Sequence, residues 1–177
     1  MKTNSLQIIV KNASKEIWEH NIAIDYDKNR LRREASLQSN FYFHLRNKIG
    51  DATLDFFNAV IYTEYHYKGK RVDLAVVQLL DGKILPIAIF EFKYKNSADD
   101  TEFKKDVTKI INYIDDSDVC TFYIGFIQEA EYADLNDSYT WLEESQIQKA
   151  SGRVIEMTGG LYRPDEESIW SFKEVGI

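Results

Sequence analysis

Leu85-Pro86-Ile87-Ala88-Ile89-Phe90 is an almost wholly apolar run that gives way abruptly to Glu91-Phe92-Lys93. A strand of this kind is buried on both faces, so helices must cover its sheet from two sides. The segments around it agree. Asn58–Tyr67 is rich in Val, Ile, Tyr and Thr and reads as a strand. Lys68-Gly69-Lys70 turns the chain, Arg71–Gln78 reads as the antiparallel partner, and Asp81-Gly82 marks a second tight turn before a third strand over Leu85–Lys95. Upstream, Leu6, Ile9, Ala13 and Ile17 predict a helix from Ser5 to about His20. Leu37, Phe41, Leu45 and Ile49 predict another from about Asn29 to Lys48, with Gly50 as its stop. Ile22–Asn29 is ambiguous between the two periods.

Downstream, Asp99, Asp100 and Thr101 offer N-caps to a helix carrying Phe103, Val107, Ile110, Ile111 and Ile114. Val119–Ile127 reads as a fourth strand, and helix then strand after a meander implies a crossover onto the same sheet. Residues 139–150 predict a further helix and Ser168–Val175 an edge strand. The expected fold is α/β: one domain over 1–177, a mixed sheet flanked by helices, with a core at about 31–127 and an acidic extension at about 128–177.

Composition narrows the class. A chain of 177 residues buries a core without disulfides or a structural metal. Its 44% hydrophobic and 29% charged residues, with 8 Gly and 2 Pro, exclude disordered and collagen-like readings. A single cysteine, Cys120, excludes an internal disulfide and a four-thiol zinc site, and reads as core packing. No apolar run approaches membrane-spanning length, and Lys11 interrupts the short apolar patch near the N-terminus. A cytoplasmic protein without a membrane partner is expected.

The chemistry-bearing residues lie at the ends of two neighbouring strands. Side chains alternate along a strand, so Glu91 and Lys93 share one face while Phe90 and Phe92 take the other. The hairpin brings Asp73, in Arg71-Val72-Asp73-Leu74, alongside. Two carboxylates at close quarters resist joint ionisation, and a divalent cation between them removes that penalty. Oxygen ligands of this kind suit Mg²⁺, and the lysine is placed to orient or help deprotonate a water for in-line attack on phosphorus.

Asp73, a hairpin spacer, then Glu91-Phe92-Lys93 followed by a helix resembles the PD-(D/E)xK nuclease superfamily, over about Leu31 to Ile127. Val72 stands where the family name has proline. The resemblance implies an αβββαβ, restriction-endonuclease-like core and Mg²⁺-dependent cleavage of DNA, with Mn²⁺ able to substitute. It implies that Asp73 and Glu91 bind the metal with the main-chain carbonyl of Phe92, and that Lys93 activates water. It also implies an upstream acidic residue. Glu34, three residues before Leu37 on the apolar stripe, is the best match, ahead of Glu19 and Glu16.

Net charge is −7, unevenly divided: residues 1–110 carry +3 and residues 111–177 carry −10. A local basic surface therefore remains available to phosphates. Arg33, Lys68, Lys70, Arg71, Lys95 and Lys105 are the nucleic-acid candidates, with Arg30, Arg32, Lys104 and Lys109 beside them. Tyr62, Tyr65 and Tyr67 offer stacking surfaces or core, and His66 is the histidine nearest the motif. Because two strands need two cuts, a homodimer or a larger phage or defence assembly fits this reading. The alternative is a catalytically silent binding module that docks a protein through its acidic last third. DNA and RNA are not separated by the metal chemistry.

Overall fold

The computed structural model describes residues 2–97, 99–114, 119–131, 140–162 and 168–176. Six strands form one mixed sheet in chain order: β1 (Ala59–Tyr67), β2 (Lys70–Leu80), β3 (Lys83–Lys95), β4 (Thr121–Glu131), β5 (Val154–Tyr162) and β6 (Ile169–Glu174). The first three run antiparallel, β3 to β4 and β4 to β5 are parallel, and β6 returns antiparallel. The helices are α1 (Lys2–Glu16), α2 (Ala23–Asp27), α3 (Glu34–Ile49), α4 (Asp51–Phe57), α5 (Thr101–Tyr113) and α6 (Glu144–Ala150). The fold is thus the expected α/β sheet flanked by helices. No helix among the described residues is long and apolar enough to cross a membrane.

Alternation along the central strands sends side chains into two cores. Leu74, Val76, Phe90 and Phe92 pack with Leu6, Ile17, Leu37 and Phe41 from the N-terminal helices. Ala75, Val77, Ile89 and Phe122 pack with Phe103, Val107 and Ile110 of α5. Phe41 is fully buried, with ring centroids 5.3 Å from Phe90 and 4.9 Å from Phe92. Phe41→Ala should therefore cost about 3–5 kcal/mol in urea unfolding. A loss below about 1 kcal/mol would show that the α3–sheet interface collapses to refill the gap.

Both tight turns have positive φ at two successive residues: Lys68 (46°) with Gly69 (79°), and Asp81 (50°) with Gly82 (74°). This backbone matches the twist of a two-residue hairpin. Along β2 and β3 the register runs from Leu80 opposite Lys83 to Val77 opposite Pro86, then shifts so that Val76 faces Ala88. Ile87 is the extra residue, and Ile87 and Ala88, though adjacent, both belong to the core under the N-terminal helices. Pro86, with no N–H to give, sits at this interruption of the ladder.

The structure departs from the sequence reading in five places. The second helix begins at Glu34, not about Asn29. Ile22–Asn29 mostly continues the first helical run, through a π-helical turn at Ile17–Ile22 and then α2. That turn carries Trp18 inward, where its Nε1 donates to the Thr158 carbonyl at 3.0 Å. Asp51–Phe57 forms a short helix after Gly50 that the periodicity had not marked. Strand β5 had no sequence expectation at all. The helix foreseen over 139–150 begins at Glu144, and residue 139 lies outside the described residues.

Candidate active site

The β2–β3 ladder reaches Leu74 opposite Phe90, while β2 stays paired with β1 as far as Lys70 opposite Tyr67. In the notch between the strands, the Asp73 side chain takes over: its Oδ2 accepts from the Phe92 N–H at 2.7 Å. Continuing the register places Glu91 beside Asp73. A strand residue directs its N–H and C=O to the same side, so the Phe92 carbonyl is turned toward the same notch.

Helices close the notch from both sides. Lys93 Nζ lies 3.0 Å from Glu34 Oε2 at the start of α3 and 3.2 Å from Asp106 Oδ2 on α5. Lys109, also on α5, places its Nζ 2.6 Å from Glu91 Oε1 and donates to the Arg71 carbonyl at 2.9 Å. The expected four residues, Glu34, Asp73, Glu91 and Lys93, therefore come together. Glu34 is half-buried and pairs with the Lys93 ammonium. Glu16 instead pairs with Lys48 on the surface.

Asp106 and Lys109 are site residues that the motif did not designate. The signal lay in the helix stripe: positions 106 and 109 border Phe103, Val107 and Ile110 and so face the sheet edge. Tyr113, one turn further, is buried, and its hydroxyl has no hydrogen-bond partner among the described residues. Burial, with the charges of Glu91 and Asp106, pushes it up to about 12.

The acid–base state reflects this crowding. Burial, followed by repulsion from Asp73, pushes Glu91 up to about 8 against the pull of Lys109. Burial also raises Asp73 to about 6, with Glu34 adding to the effect and the Phe92 N–H opposing it. Burial disfavours the Lys93 charge, but the carboxylates of Asp106 and Glu34 outweigh it and hold the ammonium above its ordinary range. Four carboxylates face two ammonium groups, so the fully ionised cluster is two negative charges in excess.

No three His, Cys, Asp or Glu side chains among the described residues converge as a ready metal cage. The donor set is two carboxylates and a directed main-chain carbonyl. That set fits Mg²⁺, which keeps several waters and is commonly held by one or two carboxylates.

The basic candidates divide. Arg33 and Lys95 line a cleft of about 540 Å³ together with Arg32, Tyr94 and Glu129, residues that flank Glu34 and Lys93 in the chain. Lys95 also pairs with Glu102 at 2.9 Å. Lys68 Nζ donates to the Tyr113 carbonyl at 2.8 Å, at the end of α5. Lys70 and Lys105 are exposed, and Arg71 is exposed with Glu64 at 3.5 Å. Tyr67 is core, whereas Tyr62 stacks on Tyr65 at 5.8 Å with Tyr62 exposed. His66 is exposed on β1. Cys120 is buried, as expected.

In the acidic last third, Glu156 is not a surface charge. It is buried and accepts from the Thr140 hydroxyl and the Trp141 N–H. The carboxylates at 134, 137 and 165–167 lie outside the described residues.

No family model matches the chain, and no curated protein matches it. Among solved structures, the chain is similar to Pyrococcus furiosus SfsA in complex with Ca²⁺, at 12% identity and a TM-score of 0.39. The likeness covers 80% of this chain, which spans 64% of the length of that protein's chain.

Proposed function

We propose that this chain is a Mg²⁺-dependent nuclease that hydrolyses DNA phosphodiester bonds, with Mn²⁺ able to substitute. The observation that carries the reading is the charge of the notch. A buried carboxylate, Glu91, and a half-buried one, Asp73, resist ionisation, and the cluster is short of two positive charges, the deficit one divalent cation fills. Asp73 and Glu91 would hold the ion with the Phe92 carbonyl. Bound there, it supplies polarisation of the phosphate and a water acidified toward neutrality.

The chain's own residues do the positioning. Lys93, held as a cation, orients the attacking water by donating to it and offsets charge building on the phosphate oxygens. Its raised pKa suits donation over proton abstraction, which narrows the water-activating role that the motif alone left open. Glu34 and Asp106 hold the ammonium in place from opposite sides. Arg33 and Lys95 in the cleft, together with Lys68, Lys70, Arg71 and Lys105, would take backbone phosphates without reading sequence. Cutting both strands of a duplex asks for a homodimer or a larger assembly.

The test is incubation of supercoiled, linear, single-stranded and branched DNA, and of RNA, with Mg²⁺ or Mn²⁺. Cleavage by the wild type that chelator and Asp73→Asn both abolish is the expected result. Intact substrates throughout, with metal bound, would sink the nuclease reading. RNA cut in preference to DNA would replace the substrate.

One observation favours a second reading, the silent binding module. Lys109 already neutralises part of Glu91, and Lys93 is already paired twice. A notch satisfied internally needs no metal, and in that case neither Mg²⁺ nor Mn²⁺ would shift the thermal midpoint.

A further inference from the structure

Lys109 bridges the two strands where they part. Its ammonium touches Glu91 on β3 and the Arg71 carbonyl on β2, and its side chain is only 21% exposed. Lys104, earlier on the same helix, behaves differently: its side chain is 56% exposed and it pairs with Asp100 within the helix's own first turn. The contrast is one of position. Position 109 borders the buried stripe and turns its cation inward, onto an oxygen of a carboxylate that is itself 5% exposed.

An ammonium and a divalent cation seek the same carboxylate lone pairs. A metal on Glu91 both occupies the oxygen that Lys109 uses and repels the ammonium at short range, where little water intervenes. Lys93 stands in a different relation, because its partners Glu34 and Asp106 are not the proposed metal-binding pair.

We infer that the Lys109 ammonium occupies the metal's place on Glu91 in the metal-free protein and is displaced when the divalent cation binds. The inference rests on the reading of Asp73 and Glu91 as the metal-holding pair. The Arg71 carbonyl remains as an anchor, so the displaced ammonium stays at the rim of the notch. Metal affinity is consequently set by competition, and the site resists occupation at low metal concentration without unfolding.

Titration calorimetry of the chain with Mn²⁺ tests this. Lys109→Met should tighten binding about tenfold, within the range typical of coupled sites. Lys109→Gln keeps the length and a neutral donor for the Arg71 carbonyl, and should tighten it as well. It serves where the methionine variant folds poorly. Unchanged or weaker binding in a folded variant overturns the inference.

A second readout follows the amine itself. Acetylation of Lys109, quantified by peptide mass spectrometry, should rise several-fold when Mn²⁺ saturates the wild type, while acetylation of Lys93 stays constant. A Lys109 rate indifferent to Mn²⁺ overturns the displacement. Wild type that binds Mn²⁺ and loses it in Asp73→Asn, with neither Lys109 effect present, defeats this inference alone. Wild type that binds no Mn²⁺ defeats the metal reading and the inference together.

Discussion

Asp73→Asn should make the metal-free protein more stable at pH 8, by about 3 kcal/mol, while changing little near pH 4. The sign follows from where protons sit. Asp73 rises to about 6 and Glu91 to about 8 on folding, both above their ordinary values. Between those ordinary values and the raised ones, the folded chain holds protons that the unfolded chain has released. Stability contributed by the pair is therefore complete at low pH and is lost as pH rises from about 4 to about 8.

Asparagine removes one of the two repelling charges and keeps an oxygen for the Phe92 N–H. Glu91 then ionises more readily beside Lys109. Urea unfolding from pH 4 to pH 8.5 checks this: the wild-type curve should fall across the window and the variant's should flatten. Saturating Mg²⁺ should flatten the wild-type curve too. Equal destabilisation of Asp73→Asn at every pH would mean that Asp73 acts only as the ladder's hydrogen-bond acceptor.

The second large effect concerns Lys93. Lys93→Ala should reduce cleavage by 10²–10³-fold, the usual loss when a single preorganised donor to a developing negative charge is removed. Metal binding should not weaken with it. Removing an ammonium leaves Glu34 and Asp106 without their shared cation, so the cluster becomes more negative and attracts Mg²⁺ at least as strongly. Activity and affinity should thus move in opposite directions.

Lys93→Arg separates two roles. Arginine cannot accept a proton near neutral pH but remains a cationic donor, so partial recovery is expected. No recovery, with the rising limb of the wild-type rate profile lost in the variant, would return Lys93 to the role of proton acceptor.

Much of this site was legible because its signals are local. Lys68-Gly69 and Asp81-Gly82 set the hairpins by their positive φ, and the hairpins set Asp73 near Glu91. The Leu37/Phe41/Leu45 stripe placed Glu34 on the correct helix and near its beginning. What escaped was relational. Lys109 was one basic residue among several, and the helix stripe beside it gives its side but not the carboxylate it meets. β5 went unread because Glu156 interrupts its apolar pattern and Gly159-Gly160 closes it. The buried Glu156 stands there because Thr140 and Trp141, distant in the chain, supply its hydrogen bonds.

The extra residue at Ile87 acts as a gear tooth between the turn and the site. Counted outward from Asp81-Gly82 along an unbroken ladder that paired Ile87 like its neighbours, Asp73 would arrive opposite Phe90, a ring that belongs beneath the N-terminal helices. The one-residue offset advances β3 so that the acid, not the ring, meets Asp73. A ladder that ran regularly through Ile87 would keep every residue proposed for the chemistry and still mis-mesh the pair. In this protein the alignment of the two carboxylates is decided four residues before Glu91, at a position that takes no part in the reaction.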